Sequence, residues 1–231
     1  MHISVLCNAG LAITSLGKTL LLDLPNEEYP PFYRLDDSQW APILLRQKPY
    51  ENVCGLYFTH THPDHFDRGR VEAYCTKWPE IPCFLPEEHP EEGEFTAGPF
   101  KVNYRRFPHV PMKEQVPVHV VSWIETPEAR IYVTSDANLE PEKHRNFLNG
   151  RYANAAFWNS MYLSKPDTRA LLRETAQENF IYHMPKTRPD PNGLWRKCDN
   201  NFKRYGNDLG HVTVIDHYPM NLNFGVSEPT D

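Results

Sequence analysis

LYFTHTHPDHFD, residues 56–67, sets an apolar run directly before His60, His62, Asp64 and His65, three imidazoles and a carboxylate within six residues. A strand places residues two apart on one side, so His60 and His62 point the same way from the end of the FTHT segment. Pro63 then forces a turn that brings Asp64 and His65 within reach of them. Neutral imidazole and carboxylate suit a hard-to-borderline divalent cation such as zinc, manganese or iron, and no thiolate stands at this spacing to make a sulfur-rich structural site. A lone histidine at a strand end is ordinarily a surface or satisfied polar group. Four such groups buried together need a cation or a full set of hydrogen-bond partners.

The flanking sequence says what this stretch is attached to. NVCGLYF, residues 52–58, is apolar enough to be a strand buried on both faces. Upstream, ISVL, LAIT and TLLLD between Ile3 and Asp23 are short apolar runs broken by N-A-G and L-G-K, a strand-turn-strand-turn-strand pattern. A loop bearing Pro25, Pro30 and Pro31 follows, and Asp37 or Ser38 is placed to cap a helix through Trp40, Ile43, Leu44 and Leu45. Downstream, Phe66 to Lys77 reads as a helix, IPCFL as a strand, and the acidic stretch from Pro86 to Glu94 as a solvated loop. PFKVNYRRF, VPVHVVSWIE and ARIYVTSD form a second group of strands. The remainder alternates: a polar helix after Asn138, AAFWNS as a strand, PDTRALLRETAQE as a helix with Pro166 in its first turn, FIYH as a strand, and HVTVIDHYPMNLNF as a closing hairpin. Two runs of strands, each followed by helix-strand pairs, predict an α/β sandwich of two sheets packed face to face with helices outside, in a single domain over residues 1–231.

The composition agrees with a globular chain of this size. The 231 residues are 40% hydrophobic and 23% charged, with 22 prolines against 11 glycines, which favours fixed turns and short elements. A net charge of -6 offers no basic field for nucleic acid or anionic lipid. The five cysteines are an odd number and never form a C-x-x-C pair, as expected of free thiols in a reducing compartment. No long apolar run suggests a leader or a membrane span, so the expectation is a cytoplasmic protein acting on a small molecule.

The T-H-T-H-P-D-H motif, with its H-x-H-x-D-H core, resembles the signature of the metallo-β-lactamase-fold superfamily, whose members are mostly hydrolases with two metals between two β-sheets. The opening N-A-G-L-A-I-T-S-L-G-K-T-L-L-L-D is similar to the family's first strands, which end in an aspartate, here Asp23, supporting the metal shell. The resemblance implies further ligands: His109 in R-R-F-P-H-V, Asp136 in R-I-Y-V-T-S-D-A, and His183 in F-I-Y-H-M-P. It assigns His60, His62 and His109 to one metal, Asp64, His65 and His183 to the other, and Asp136 between them. Ser135 stands where the family often has glycine. His119 and His217 compete for the late ligand positions, with His119 better explained as a core or solvent-facing residue.

The expected cofactor is therefore two divalent ions, zinc first, with manganese or iron as alternatives. Such a pair brings the pKa of a shared water toward about 7 and polarises a carbonyl or phosphoryl oxygen, and Asp64 is the candidate for orienting that nucleophile and relaying a proton. Lys186 and Arg188 near His183, with Arg105, Arg106 and Lys113 near His109, are candidates for binding an anionic substrate. Tyr182, Asn159 and Ser160 are weaker hydrogen-bonding candidates. The expectation is a metal-dependent hydrolase of a small anionic ester, a phosphodiester or cyclic phosphate. Alternatives are a lactonase acting on a sugar-phosphate-type lactone, a redox enzyme on the same fold, and a non-catalytic metal-binding module.

Overall fold

The computed structural model describes residues 1–111, 116–185 and 190–224. Its first sheet holds β1 (His2–Cys7), β2 (Gly10–Ser15), β3 (Lys18–Leu22), β4 (Val53–Tyr57), β5 (Cys83–Phe84) and β13 (Met220–Asn223), in the order β13-β1-β2-β3-β4-β5. The second holds β6 (Glu92–Ala97), β7 (Phe100–Arg106), β8 (Val120–Glu125), β9 (Arg130–Val133), β10 (Ala153–Asn159), β11 (Ala176–Tyr182) and β12 (Val212–Val214), in reverse chain order from β12 to β6. Strands β3, β4 and β5 run parallel, as do β9 to β12. Parallel neighbours need crossovers, and the helices supply them. α1 (Asp37–Leu44) and α2 (Arg68–Lys77) serve the first sheet; α3 (Pro141–Leu148), α4 (Pro166–Thr175) and α5 (Leu194–Tyr205) serve the second.

Three apolar layers follow from this order. Between the sheets, Ile3, Leu11, Leu20 and Tyr57 meet Val102, Ile124, Val133 and Phe157. Outside the first sheet, Leu21, Leu56 and Phe58 pack on Trp40, Ile43, Val71 and Tyr74 of α1 and α2. Outside the second, Tyr132, Trp158 and Ile181 pack on Phe147, Leu171, Leu172 and Trp195. The result is the expected helix-sheet-sheet-helix sandwich. β4 shows why its sequence is apolar throughout: Tyr57 faces the inter-sheet layer, where it stacks on Phe84 at 4.5 Å, while Leu56 and Phe58 face the helices. No helix among the described residues is long and apolar enough to cross a membrane.

The structure revises several boundaries. α1 is capped one residue earlier than expected, by Asp36, which accepts from the Gln39 amide in a capping box. The acidic stretch is not all loop: Pro86–Glu88 is a single 3₁₀ turn, and Glu92 to Glu94 open β6, where Glu92 pairs with Arg105 across the edge. α4 stops at Thr175, and the A-Q-E that continued its polar pattern begins β11 instead. The closing segment is not a hairpin. β12 runs parallel to β11 in the second sheet, whereas β13 runs antiparallel to β1 in the first, so the segment crosses between sheets. α5 was not foreseen; Trp195 and Cys198, with Phe202 partly buried beside them, anchor it against the second sheet, and most of its other residues are polar.

Candidate metal centre

One rim of the sandwich collects the carboxyl ends of the strands. Asp23 follows β3, Thr59 to His65 follow β4, His109 follows β7, Ser135 and Asp136 follow β9, and His183 follows β11. Three of these residues, Asp23, Ser135 and His183, take positive φ angles of 50, 48 and 59°. Left-handed backbone costs a non-glycine residue about 1–2 kcal/mol, and its concentration where strands meet the site marks sharp bends that aim side chains inward. Ser135 thereby accounts for the glycine that the resemblance leads one to expect. The serine adopts a left-handed backbone that glycine would take without strain, and its hydroxyl lies 2.8 Å from Thr59 Oγ1.

His109 reaches the rim by a different device. Its segment is zipped against the one after β9: Val110 N donates to the Asp136 carbonyl at 2.8 Å, and Asn138 N to the Pro108 carbonyl at 2.7 Å. The His109 and Asp136 side chains therefore meet, with Nε2 3.4 Å from Oδ2. The same Asp136 oxygen is 3.9 Å from His60 Nε2 and 3.6 Å from Nε2 of both His65 and His183. Asp64 Oδ2 is 3.0 Å from His183 Nε2 and 3.8 Å from His65 Nε2. Donors about 2.0–2.2 Å from a common tetrahedral ion stand roughly 3.3–3.6 Å apart, and three of these six separations, those of Asp136 to His109, His65 and His183, fall in that range. The groups that converge closely enough are His60, His62 and His109; His60, His65 and Asp136; and Asp64, His65 and His183.

Hydrogen bonds at Nδ1 turn the Nε2 atoms of His65 and His109 toward the rim. His65 Nδ1 donates to Asp23 Oδ2 at 2.9 Å, which orients the ring with Nε2 facing the rim, 2.9 Å from His183 Nε2. His109 Nδ1 donates to the Val110 carbonyl at 2.7 Å with the same effect. The buried Nε2 atoms of His60, His62 and His109 have no hydrogen-bond partner. Buried polar nitrogens without partners are costly, and a cation between them would satisfy all three. This donor set fits divalent metal.

Electrostatics point the same way. Burial opposes the charge on Asp64 and Asp136, but His65 and His183 outweigh it and hold both carboxyls below their usual range. Burial likewise opposes the His65 imidazolium, yet Asp64 and Asp23 raise its pKa well above normal. Burial, reinforced by His65 and His119, pushes His60 well below the usual histidine value. The rim thus sets anionic oxygens beside His65, whose charged form they favour, and beside His60, which burial keeps neutral.

Other candidate residues sort differently. His119 is buried against His60 and His109, with ring centroids 5.2 and 5.6 Å away, and burial followed by His109 pushes its pKa down to about 3. It belongs to none of the converging donor groups. His217 is exposed and paired with Asp216 at 2.8 Å, away from the rim. Tyr182 is a correction: it is fully buried between the sheets rather than in the cleft. Asn159 and Ser160 do line the cleft, although Asn159 is occupied in donating to the Ser135 carbonyl and accepting from Met161 N. Arg105 pairs with Glu92, and Arg106 donates to the Pro86 and His89 carbonyls, so neither serves the cleft. Lys113, Lys186 and Arg188 lie outside the described residues.

Several contributors were not legible in advance. Asn8, in the turn between β1 and β2, donates through Nδ2 to the Asp64 carbonyl at 3.1 Å, while its own carbonyl accepts from His183 N. Asn26 donates to the same Asp64 carbonyl at 3.1 Å. Both read in the sequence as ordinary turn or loop asparagines. Phe32, from the proline-bearing loop, sets its ring edge against His183 with centroids 4.3 Å apart.

No family model matches the chain. A hydroxyacylglutathione hydrolase from Cronobacter sakazakii is 35% identical over 77 residues, 33% of this chain and 25% of that protein, so the match spans about a quarter of its length. Among solved structures, an isothiocyanate hydrolase from Delia radicum gut bacteria superposes with a TM-score of 0.67 at 12% identity, covering 98% of this chain and 100% of that one. CmlA, a diiron β-hydroxylase from Streptomyces venezuelae, superposes with a TM-score of 0.65 at 12% identity, covering 96% of this chain and 54% of that one. Likeness at this identity speaks for the fold, which is the metallo-β-lactamase fold. It does not choose between hydrolysis and oxygen chemistry.

Proposed function

We propose that this chain, a metallo-β-lactamase fold with a histidine and aspartate rim, is a metal-dependent hydrolase. In this reading His60, His62 and His109 hold one divalent cation and Asp64, His65 and His183 a second, with Asp136 between them. The observation that carries it is the set of three buried Nε2 atoms without partners, gathered around carboxylates held in their charged form. Cations bound there would supply a water acidified toward neutral pH and a Lewis acid for a substrate oxygen. Zinc is the first candidate, manganese and iron the others.

The chain's own residues have separable tasks. Asp64 is positioned to take a proton from the attacking water, and Asn8 and Asn26 hold its backbone so that the carboxylate cannot swing away. Asp23 keeps His65 in one tautomer. Ser160, at the edge of the cleft, is placed to donate to the substrate. The bond broken is an ester bond of a small molecule, with phosphodiesters, cyclic phosphates and lactones as the substrate classes to compare.

The test is metal analysis of purified protein after dialysis against zinc or manganese, paired with hydrolysis assays. Two equivalents of metal, with turnover lost in Asp64→Ala, is the expected result. Bound metal with no turnover of any ester would sink the hydrolase reading in favour of a binding module, and oxygen consumption with iron would replace it with redox chemistry.

A further inference from the structure

The cleft over the rim has a volume of about 290 Å³ and two unlike sides. One is the ring of histidines and carboxylates. The other is built from Tyr29, Phe32, Val110, Met161 and Leu194, each of them half-buried and so presenting part of its surface to the cleft. Phe32 abuts the ring of His183, so whatever reacts at the rim must lie along this wall.

We infer that the site takes neutral carboxylic esters or lactones with a compact apolar acyl group, in preference to phosphate esters. This rests on the hydrolase reading above and narrows its substrate class. Cations at the rim would attract the polar end of either type of ester, and a charged phosphodiester the more strongly, so a preference for the neutral ester comes from the wall. A phosphodiester keeps its charge at any pH near neutral, and pressing it against phenylalanine, valine, methionine and leucine strips water from an ion with little in return. The two arginines nearest His109 in sequence are committed to Glu92 and to backbone carbonyls. An acyl chain, by contrast, gains from contact with the same side chains, about fourfold for each buried methylene.

The 290 Å³ of the cleft has room for a short acyl chain and the reacting carboxyl. In the reaction, water oxygen bonds to the acyl carbon as the carbon–oxygen ester bond breaks. The proton taken by Asp64 passes to the departing alkoxide, leaving one carboxylic acid and one alcohol, or a hydroxy acid from a lactone.

The experiment uses the full chain loaded with metal and compares p-nitrophenyl acetate and butyrate with bis(p-nitrophenyl) phosphate. In parallel, ligand-observed NMR follows binding of hexanamide, a neutral probe. The expected result is a kcat/KM about 15-fold higher for butyrate than acetate, the phosphodiester poorer than both, and hexanamide binding that disappears in Phe32→Ala/Met161→Ala. In that variant the butyrate-to-acetate ratio should fall at least fivefold, and Phe32→Leu should restore part of it. A preference for the phosphodiester, or no dependence on acyl length, overturns the inference while leaving the hydrolase reading standing. If no ester is turned over, the hydrolase reading fails on its own, and the NMR arm still decides: binding lost in the double variant supports an apolar-ligand site, and no binding to the original chain overturns it.

Discussion

The Asp23 carboxylate receives His65 Nδ1 at 2.9 Å and is itself pinned by the Thr59 amide at 2.7 Å and the Thr59 hydroxyl at 2.8 Å. Asp23 is fully buried and is not itself a member of the converging donor groups. Its role is to hold the imidazole that does. Asp23→Asn keeps the volume but weakens the acceptor and allows the wrong His65 tautomer. We expect metal affinity to fall about 10- to 100-fold, measured by competition with a chromophoric chelator, with much of the fold retained by circular dichroism. Unchanged affinity would show that His65 orientation is set elsewhere.

Metal removal should register as lost stability. A ligand that binds only the folded chain at about 1,000 times its Kd adds about 4 kcal/mol, and for a chain of this size each kcal/mol moves the midpoint by about 2–4 °C. Chelated protein should therefore melt about 10 °C below the zinc-loaded protein in differential scanning fluorimetry. His60→Ala, which removes a donor shared by two of the converging groups, should abolish most of that difference. A gap that survives in His60→Ala would place the stabilising ion elsewhere.

Ser135 offers a backbone test. Ser135→Ala keeps the positive φ and forfeits the bond to Thr59, for a loss of about 1 kcal/mol. Ser135→Gly forfeits the same bond but relieves the left-handed strain, so it should stay within about 1 kcal/mol of the original chain. Urea denaturation of the two variants should rank glycine above alanine. The reverse ranking would mean that the bend is unstrained.

His144 supplies a pH dependence away from the rim. It is buried between Tyr132 and Tyr162, whose hydroxyls lie 2.6 Å from its two ring nitrogens, and burial pushes its pKa down to about 3. In the unfolded chain it titrates near 6.5. The unfolded state therefore takes the proton first as pH falls, so the neutral ring's contribution is whole above about pH 6.5 and is lost progressively toward about pH 3. The slope is about 1.4 kcal/mol per pH unit. The stability advantage of the original chain over His144→Gln should shrink by that amount from pH 6 to pH 5 in urea melts; a gap independent of pH would refute the assignment.

The two-sheet sandwich was legible because its signals are local. Alternation and turn residues mark β1 to β3, β4 is apolar on both faces, and the H-x-H-x-D-H spacing appears within six residues. His109, Asp136 and His183 came from resemblance, since nothing in their own neighbourhoods separates them from His119 or His217. What separates them is geometry: His119 lies behind His60, and His217 faces solvent. Asn8 and Phe32 were illegible because their importance lies in partners 56 and 151 residues away. β12 and β13 misled because two short strands in sequence look the same whether they pair with each other or with separate sheets. α5 escaped because only a narrow stripe of it is buried.

The antiparallel pairing of β13 with β1 joins His2 to Asn223 and Val5 to Met220. During synthesis, the polypeptide that already carries His60 to His65 must wait for nearly all the remaining residues before the edge of its first sheet is covered. The rim itself gathers His183 with Asp64 and His65, which stand 119 and 118 residues earlier, so it cannot be complete until most of this sequence has been made.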